Sequence, residues 1–131
     1  MKRINIYTEQ THFIGCWNLE NNKLCNEIID FFEINKNLHK QGVTASGKNL
    51  KAKNRIDITV SPNDLIKPKF KIINQYVNEL HKCFLDYQNQ WSFLKSMLTN
   101  VDIGEFNIGK YSPGGHFAAH HSERTSLATL H

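Results

Sequence analysis

Hydrophobic positions along the chain recur with two different periods, and the change of period separates helical from extended stretches. From Asn21 to Asn37, Leu24, Ile28, Phe31 and Phe32 follow helical spacing, which gathers them on one face of an amphipathic helix. Asn21 or Asn22 suits its start, because an Asn side chain accepts a hydrogen bond from a free N–H of the first turn. The same spacing returns at Phe70, Ile73, Val77, Leu80 and Phe84 and predicts a longer helix from Lys67 to about Tyr87. Pro68 is tolerated in its first turn, where a missing N–H costs little. Gln88 to Asn100 carries Trp91, Phe93, Leu94, Met97 and Leu98, as a second helix or an extension of the first.

Alternation, the period of a strand, appears at Ile56-Asp57-Ile58-Thr59-Val60. Its β-branched residues favour extended backbone, and Ile56, Ile58 and Val60 then share a face. Ser61-Pro62-Asn63-Asp64 ends it. Residues 1 to 20 alternate in part, through Ile4, Ile6, Phe13, Ile14, Trp17 and Leu19, and predict one or two short strands. Val101-Asp102-Ile103-Gly104 leads into another strand over Glu105 to Tyr111, and Ser112-Pro113-Gly114-Gly115 reads as a turn. There Pro fixes φ on entry and glycine allows positive φ. The small, polar and basic stretch from Lys40 to Arg55, with glycines at 42 and 47, predicts a mobile surface loop, with a lid on the substrate side as a further reading. Helices followed by strands make the fold class α+β.

Composition narrows the class without naming a chemistry. With 131 residues, 40% hydrophobic and 21% charged, the chain suffices for one domain with a core. It has no apolar run of ~18 residues, and no apolar stretch behind Lys2 and Arg3 to make a signal peptide. No membrane association is therefore expected. Cys16, Cys25 and Cys83 are odd in number and lack a C-x-x-C spacing, which suits free, mostly buried thiols in a reducing cytoplasm. The net charge of +4 comes from scattered lysines, densest from Lys48 to Arg55. A solvated basic loop is the simple reading, and a nucleic-acid partner is not expected.

The chemistry-bearing residues cluster late. His116, His120, His121 and Glu123 fall within eight residues. In a strand, residues two apart share a face, so His121 and Glu123 would project together. One imidazole and one carboxylate are two of the three protein ligands of a non-haem Fe(II) facial triad. A plain surface pair is the competing reading, and His-x-Glu alone is common. His120 offers another register, but its acid position would fall on Ser122, a poor Fe(II) ligand. His116 on the turn and His81 on the long helix read as solvent-exposed, and Arg124 as an exposed cation.

Tyr111, Pro113, Gly114, Gly115 and Phe117, followed by His121-Ser122-Glu123-Arg124, resemble the prolyl-4-hydroxylase-like 2-oxoglutarate- and Fe(II)-dependent dioxygenases. The nearest resemblance is to a group frequent in phages and marine bacteria in which His-x-Glu replaces His-x-Asp. Asp57-Ile58 after a basic loop matches the same group. The resemblance implies a double-stranded β-helix of jelly-roll or cupin type, represented here by its N-terminal half with two buttressing helices. It implies one domain over residues 1–131, incomplete before the closing strands: 1–100 a helical support with short strands, 101–131 the first core strands with the metal motif. It further implies that His121 and Glu123 bind Fe(II) and that Tyr111 hydrogen-bonds a carboxylate of the co-substrate 2-oxoglutarate, with ascorbate as an accessory. Read from the residues alone, Tyr111 is equally a half-buried strand tyrosine. The distal histidine and the basic residue that grips 2-oxoglutarate would lie beyond His131, so the chain by itself is expected to be inactive. The implied reaction is decarboxylation of 2-oxoglutarate with O₂ to succinate and CO₂, coupled to hydroxylation of an unidentified protein or small molecule, peptidyl proline being one candidate. Two other readings remain. One is a non-catalytic module whose histidines bind a divalent metal such as Zn²⁺ or a partner. The other is a nucleic-acid-binding protein using the Lys48 to Arg55 loop.

Overall fold

A computed structural model describes residues 1–6, 13–44, 47–97 and 101–117. Its elements in chain order are β1 (Lys2–Ile4), β2 (Cys16–Asn18), α1 (Asn22–Ile34), β3 (Lys40–Gln41), β4 (Lys53–Asn54), β5 (Ile56–Val60), α2 (Pro62–Leu65), α3 (Lys71–Gln90), α4 (Phe93–Met97), β6 (Phe106–Lys110) and β7 (His116–Phe117). Short 3-10 turns occupy Lys36–Leu38 and Pro68–Phe70. The chain divides into two compact units. One comprises Met1–Lys36 and Val60–Phe106, the other Asn37–Thr59 and Asn107–His131.

The first unit is built on helices. Asn21 caps α1, its side chain accepting the Leu24 N–H at 3.0 Å, and this satisfies a donor that the helix itself leaves unpaired. At the other end Asn35 Nδ2 donates to the Phe31 carbonyl at 2.7 Å. The apolar face of α1 packs on α3, with Phe31 and Phe70 rings 5.3 Å apart. Leu24 and Ile73 are each only 1% exposed, so each contributes about 1.5–3 kcal/mol of apolar burial. Ser61 precedes α2 and its N–H donates to Asp64 Oδ2 at 2.9 Å. Lys67 closes on the other Asp64 oxygen at 2.7 Å. The Lys67 hydrogen bond, then those from Ser61, hold the Asp64 carboxyl well below the usual carboxylate range. β1 and β2 pair antiparallel, Lys2 opposite Asn18 and Ile4 opposite Cys16. Trp17 Nε1 donates to Asp86 Oδ2 at 2.8 Å, and Arg3 reaches the same oxygen.

The second unit is built on short strands. β5 lies between β3 and β6, with β3 antiparallel to it and Lys40 opposite Asp57. β4 pairs antiparallel with β7, Lys53 opposite Phe117 and Asn54 opposite His116. The described residues thus form helices and three small sheets, without a closed barrel.

Several expectations change in detail. The stretch from Lys40 to Arg55 is not only a loop, because β3 and β4 fall inside it. The long helix runs on to Gln90 and then breaks at Trp91-Ser92 before the separate α4. Within α3, Leu80 is 48% exposed while Cys83 is buried. Burial there raises the Cys83 thiol pKa. Cys25 is exposed and Cys16 half-buried, so the thiols are not mostly buried. No described helix is long and apolar enough to cross a membrane.

Candidate functional site

The second unit concentrates charge where a core would ordinarily be apolar. On β5, Ile58 and Val60 are fully buried, as the alternation predicts, but Asp57 on the opposite face is only 4% exposed. Burying a lone carboxylate would be prohibitive, and two cations answer it. Arg55 Nε lies 2.6 Å from Asp57 Oδ1 and Lys53 Nζ lies 3.5 Å from Oδ2. Lys53 also donates to the Val43 carbonyl at 3.1 Å.

Two glycines make room for this cluster. A Cβ on Gly42 would lie 3.0 to 3.1 Å from Arg55 Cγ, Asp57 Oδ2 and Lys53 Cε, and one on Gly109 would lie 2.9 Å from Asp57 Oδ1. Any larger residue at either position would displace the ions.

Arg55 continues outward. Its Nη1 donates to the Tyr111 hydroxyl at 3.2 Å, and its guanidinium stands 5.6 Å from the Tyr111 ring centre and 5.9 Å from that of Phe117. Lys53 Nζ stands 5.0 Å from the Phe117 ring centre. Such cation–ring contacts are favourable, more so when desolvated. Burial opposes the Arg55 charge, but the Tyr111 hydrogen bond and the Asp57 carboxylate outweigh it and hold the pKa above the ordinary arginine value.

The turn after β6 is held by backbone. Gly115 N–H donates to the Ser112 carbonyl at 2.7 Å, and Gly114 has φ of +78°, a conformation that favours glycine. A Cβ on Gly115 would meet the Asn54 carbonyl at 2.8 Å, which explains the second glycine by close approach. His116 is exposed, its Nδ1 3.3 Å from the Gly114 carbonyl and its Nε2 3.1 Å from the Lys51 carbonyl. It is thus engaged with backbone acceptors.

Of the residues singled out from sequence, Tyr111 is described, 43% exposed and joined to Arg55. His120, His121, Glu123, Arg124 and His131 lie outside the described residues. His81 is exposed on α3. Among the described residues no group of three or more His, Cys, Asp or Glu side chains is placed to hold a metal ion. Lys48 and Lys51 are exposed, but Lys53 and Arg55 turn inward to Asp57, so the expected solvated basic loop is only partly solvated. The Lys53–Arg55–Asp57 cluster was not anticipated. Its signal was present in Arg55-Ile56-Asp57, since residues two apart on a strand share a face and an acid there needs a partner once buried.

The first unit also holds an apolar cleft of about 620 Å³, lined among others by Trp17, Leu80, Phe84, Tyr87, Val101 and Ile103.

No family model matches the chain, and neither a curated protein nor a solved structure is found to be similar to it.

Proposed function

We propose that the chain is part of an Fe(II)- and 2-oxoglutarate-dependent oxygenase that hydroxylates an unidentified substrate. The observation that carries this reading is the Arg55 hydrogen bond to Tyr111 at the end of β6. It brings a cation from between β4 and β5 against a hydroxyl on the strand–turn–strand that precedes His121-Ser122-Glu123 in sequence. A carboxylate ligand suits both groups, since the guanidinium carries the opposite charge and the hydroxyl has a proton to donate.

For iron, the fit rests on the chemistry of the donor set. His121 would supply a neutral imidazole and Glu123 a carboxylate, both ordinary Fe(II) ligands with open positions left for reactants. Bound there, the metal with 2-oxoglutarate and O₂ would supply the oxidising power for C–H hydroxylation, which no side chain here can provide. The chain's own part is to hold the acid through Tyr111 and Arg55 and to keep that pair fixed on the buried Asp57.

Anaerobic equilibrium dialysis of the chain with Fe(II) tests the reading. Binding that weakens at least tenfold in His121→Ala and in Glu123→Ala, with His116→Ala unaffected, supports it. Binding lost in His116→Ala or His120→Ala but indifferent to Glu123→Ala points instead to a non-catalytic metal module.

A further inference from the structure

We propose that His116 is a proton-operated clasp: its charged form fastens the basic loop ahead of β4 to the glycine turn ahead of β7, and its neutral form cannot hold both. The inference goes beyond the oxygenase reading and stands or falls without it.

The argument begins with donor capacity. His116 Nε2 lies 3.1 Å from the carbonyl oxygen of Lys51, 65 residues away in sequence, and Nδ1 lies 3.3 Å from the carbonyl oxygen of Gly114. A carbonyl oxygen can only accept, and an imidazole donates from both ring nitrogens only when it is protonated. In the neutral ring one nitrogen would turn its lone pair toward an oxygen lone pair, so one of the two contacts must open. Protonation closes both, and the charge strengthens each hydrogen bond.

The local fold holds both oxygens in place. Asn49 gathers the loop, its side-chain oxygen accepting the Lys51 N–H at 3.1 Å and its carbonyl accepting the Lys53 N–H at 2.8 Å. On the other side the Gly115 N–H closes the turn on the Ser112 carbonyl, and Gly114 takes the positive φ that the turn requires. The pairing of β4 with β7 sets Asn54 opposite His116, which keeps the ring beside the loop.

The charges around the ring make one proton decisive. Cross-strand partners share a face, so His116 stands with Asn54 on the exposed side, while Lys53 and Phe117 take the other side with Arg55 and Asp57. The charged and titratable groups on the surrounding elements are Lys48 and Lys51 on the loop, Lys53 on β4, Arg55 and Asp57 at β5, and Lys110 and Tyr111 before the turn. Asp57 is engaged by Lys53 and Arg55, and Tyr111 by Arg55. Among these described residues no acid stands on the His116 side, so two carbonyls, and not a carboxylate, answer the imidazolium. Lysine keeps its charge through the range in which histidine titrates, which leaves His116 as the group on this face that changes charge near neutral pH.

The test is NMR of the isotope-labelled full chain, kept metal-free with a chelator and titrated between about pH 8 and pH 5. At least one of the Lys51 and Gly114 carbonyl carbon signals should move with the same midpoint as the His116 ring. Exchange of the Ala52, Lys53 and Gly115 amides, corrected for the intrinsic effect of pH, should slow by about threefold or more as the ring gains its proton. In His116→Ala neither carbonyl should move, and exchange should stay at its faster value throughout. His116→Gln has no charge to gain and should behave in the same way, and it decides the matter if His116→Ala does not fold. Carbonyl signals that stand still while the ring titrates would overturn the proposal. So would a pH-dependent exchange of these amides that survives in either variant.

Discussion

In the first unit the side chains most removed from water are largely apolar, Leu24, Phe31, Phe32, Phe70 and Ile73 among them, whereas in the second Lys53 and Asp57 are buried to about the degree of Phe32 and Phe70. The two kinds of interior do different things. Apolar contacts stabilise in proportion to the area they bury and tolerate small shifts. Buried ions add little net stability, because desolvation offsets their attraction, but they are intolerant of losing a partner. An interior of that second kind suits a place where a particular group must be held in one orientation, as Arg55 is held toward Tyr111.

The largest effect should come from removing the shared anion. Asp57→Ala leaves two buried cations without their carboxylate and should cost about 3–5 kcal/mol in urea unfolding. Replacing the whole cluster by Lys53→Met, Arg55→Met and Asp57→Leu together should cost less than Asp57→Ala alone, since apolar groups of similar size do not need partners. A triple variant less stable than Asp57→Ala would mean that the cluster is a net source of stability.

Next in size, Leu24→Ala should cost roughly 3 kcal/mol by the same measurement, through lost burial and the cavity left behind. Fe(II) binding by the folded fraction should not change, because Leu24 belongs to the helical interior. Asn21→Ala should cost about 1 kcal/mol, the usual worth of an N-cap. A loss well below that would mean that the Leu24 N–H finds another acceptor.

Smallest is an acid effect in the first unit. The Asp64 carboxyl is held below its ordinary range by Lys67 and Ser61, so its contribution is present above the unfolded value of about 3.9 and is lost as pH falls below it. Between about pH 5 and pH 2 the melting temperature should therefore fall less for Asp64→Asn than for the unaltered chain. Equal falls would contradict the pairing.

Periodicity made the helices legible. Leu24, Phe31, Phe70 and Ile73 were placed inside by spacing alone, and Asn21 was readable as a cap, because these features depend on neighbours a few residues away. The break at Trp91 was not readable, since aromatic residues continue on both sides of it. The short strands β3 and β4 were not legible either. Each has two residues, too few to show alternation, and each exists through a partner distant in sequence. For the same reason the charge cluster was missed. Lys53 and Arg55 look like solvated cations until β5 buries Asp57 beside them, and only pairing across strands brings Tyr111 to Arg55. Of the expected site residues, Tyr111 is described, hydrogen-bonded by Arg55, while the metal pair His121 and Glu123 lies outside the described residues.

The most direct test of the account is anaerobic Fe(II) dialysis carried out with and without 2-oxoglutarate on the unaltered chain, Glu123→Ala and Tyr111→Phe. The account predicts Fe(II) binding that 2-oxoglutarate tightens, a loss of Fe(II) in Glu123→Ala, and in Tyr111→Phe retained Fe(II) without the tightening. Fe(II) binding that is equal in all three, or that 2-oxoglutarate leaves unchanged in the unaltered chain, would contradict it.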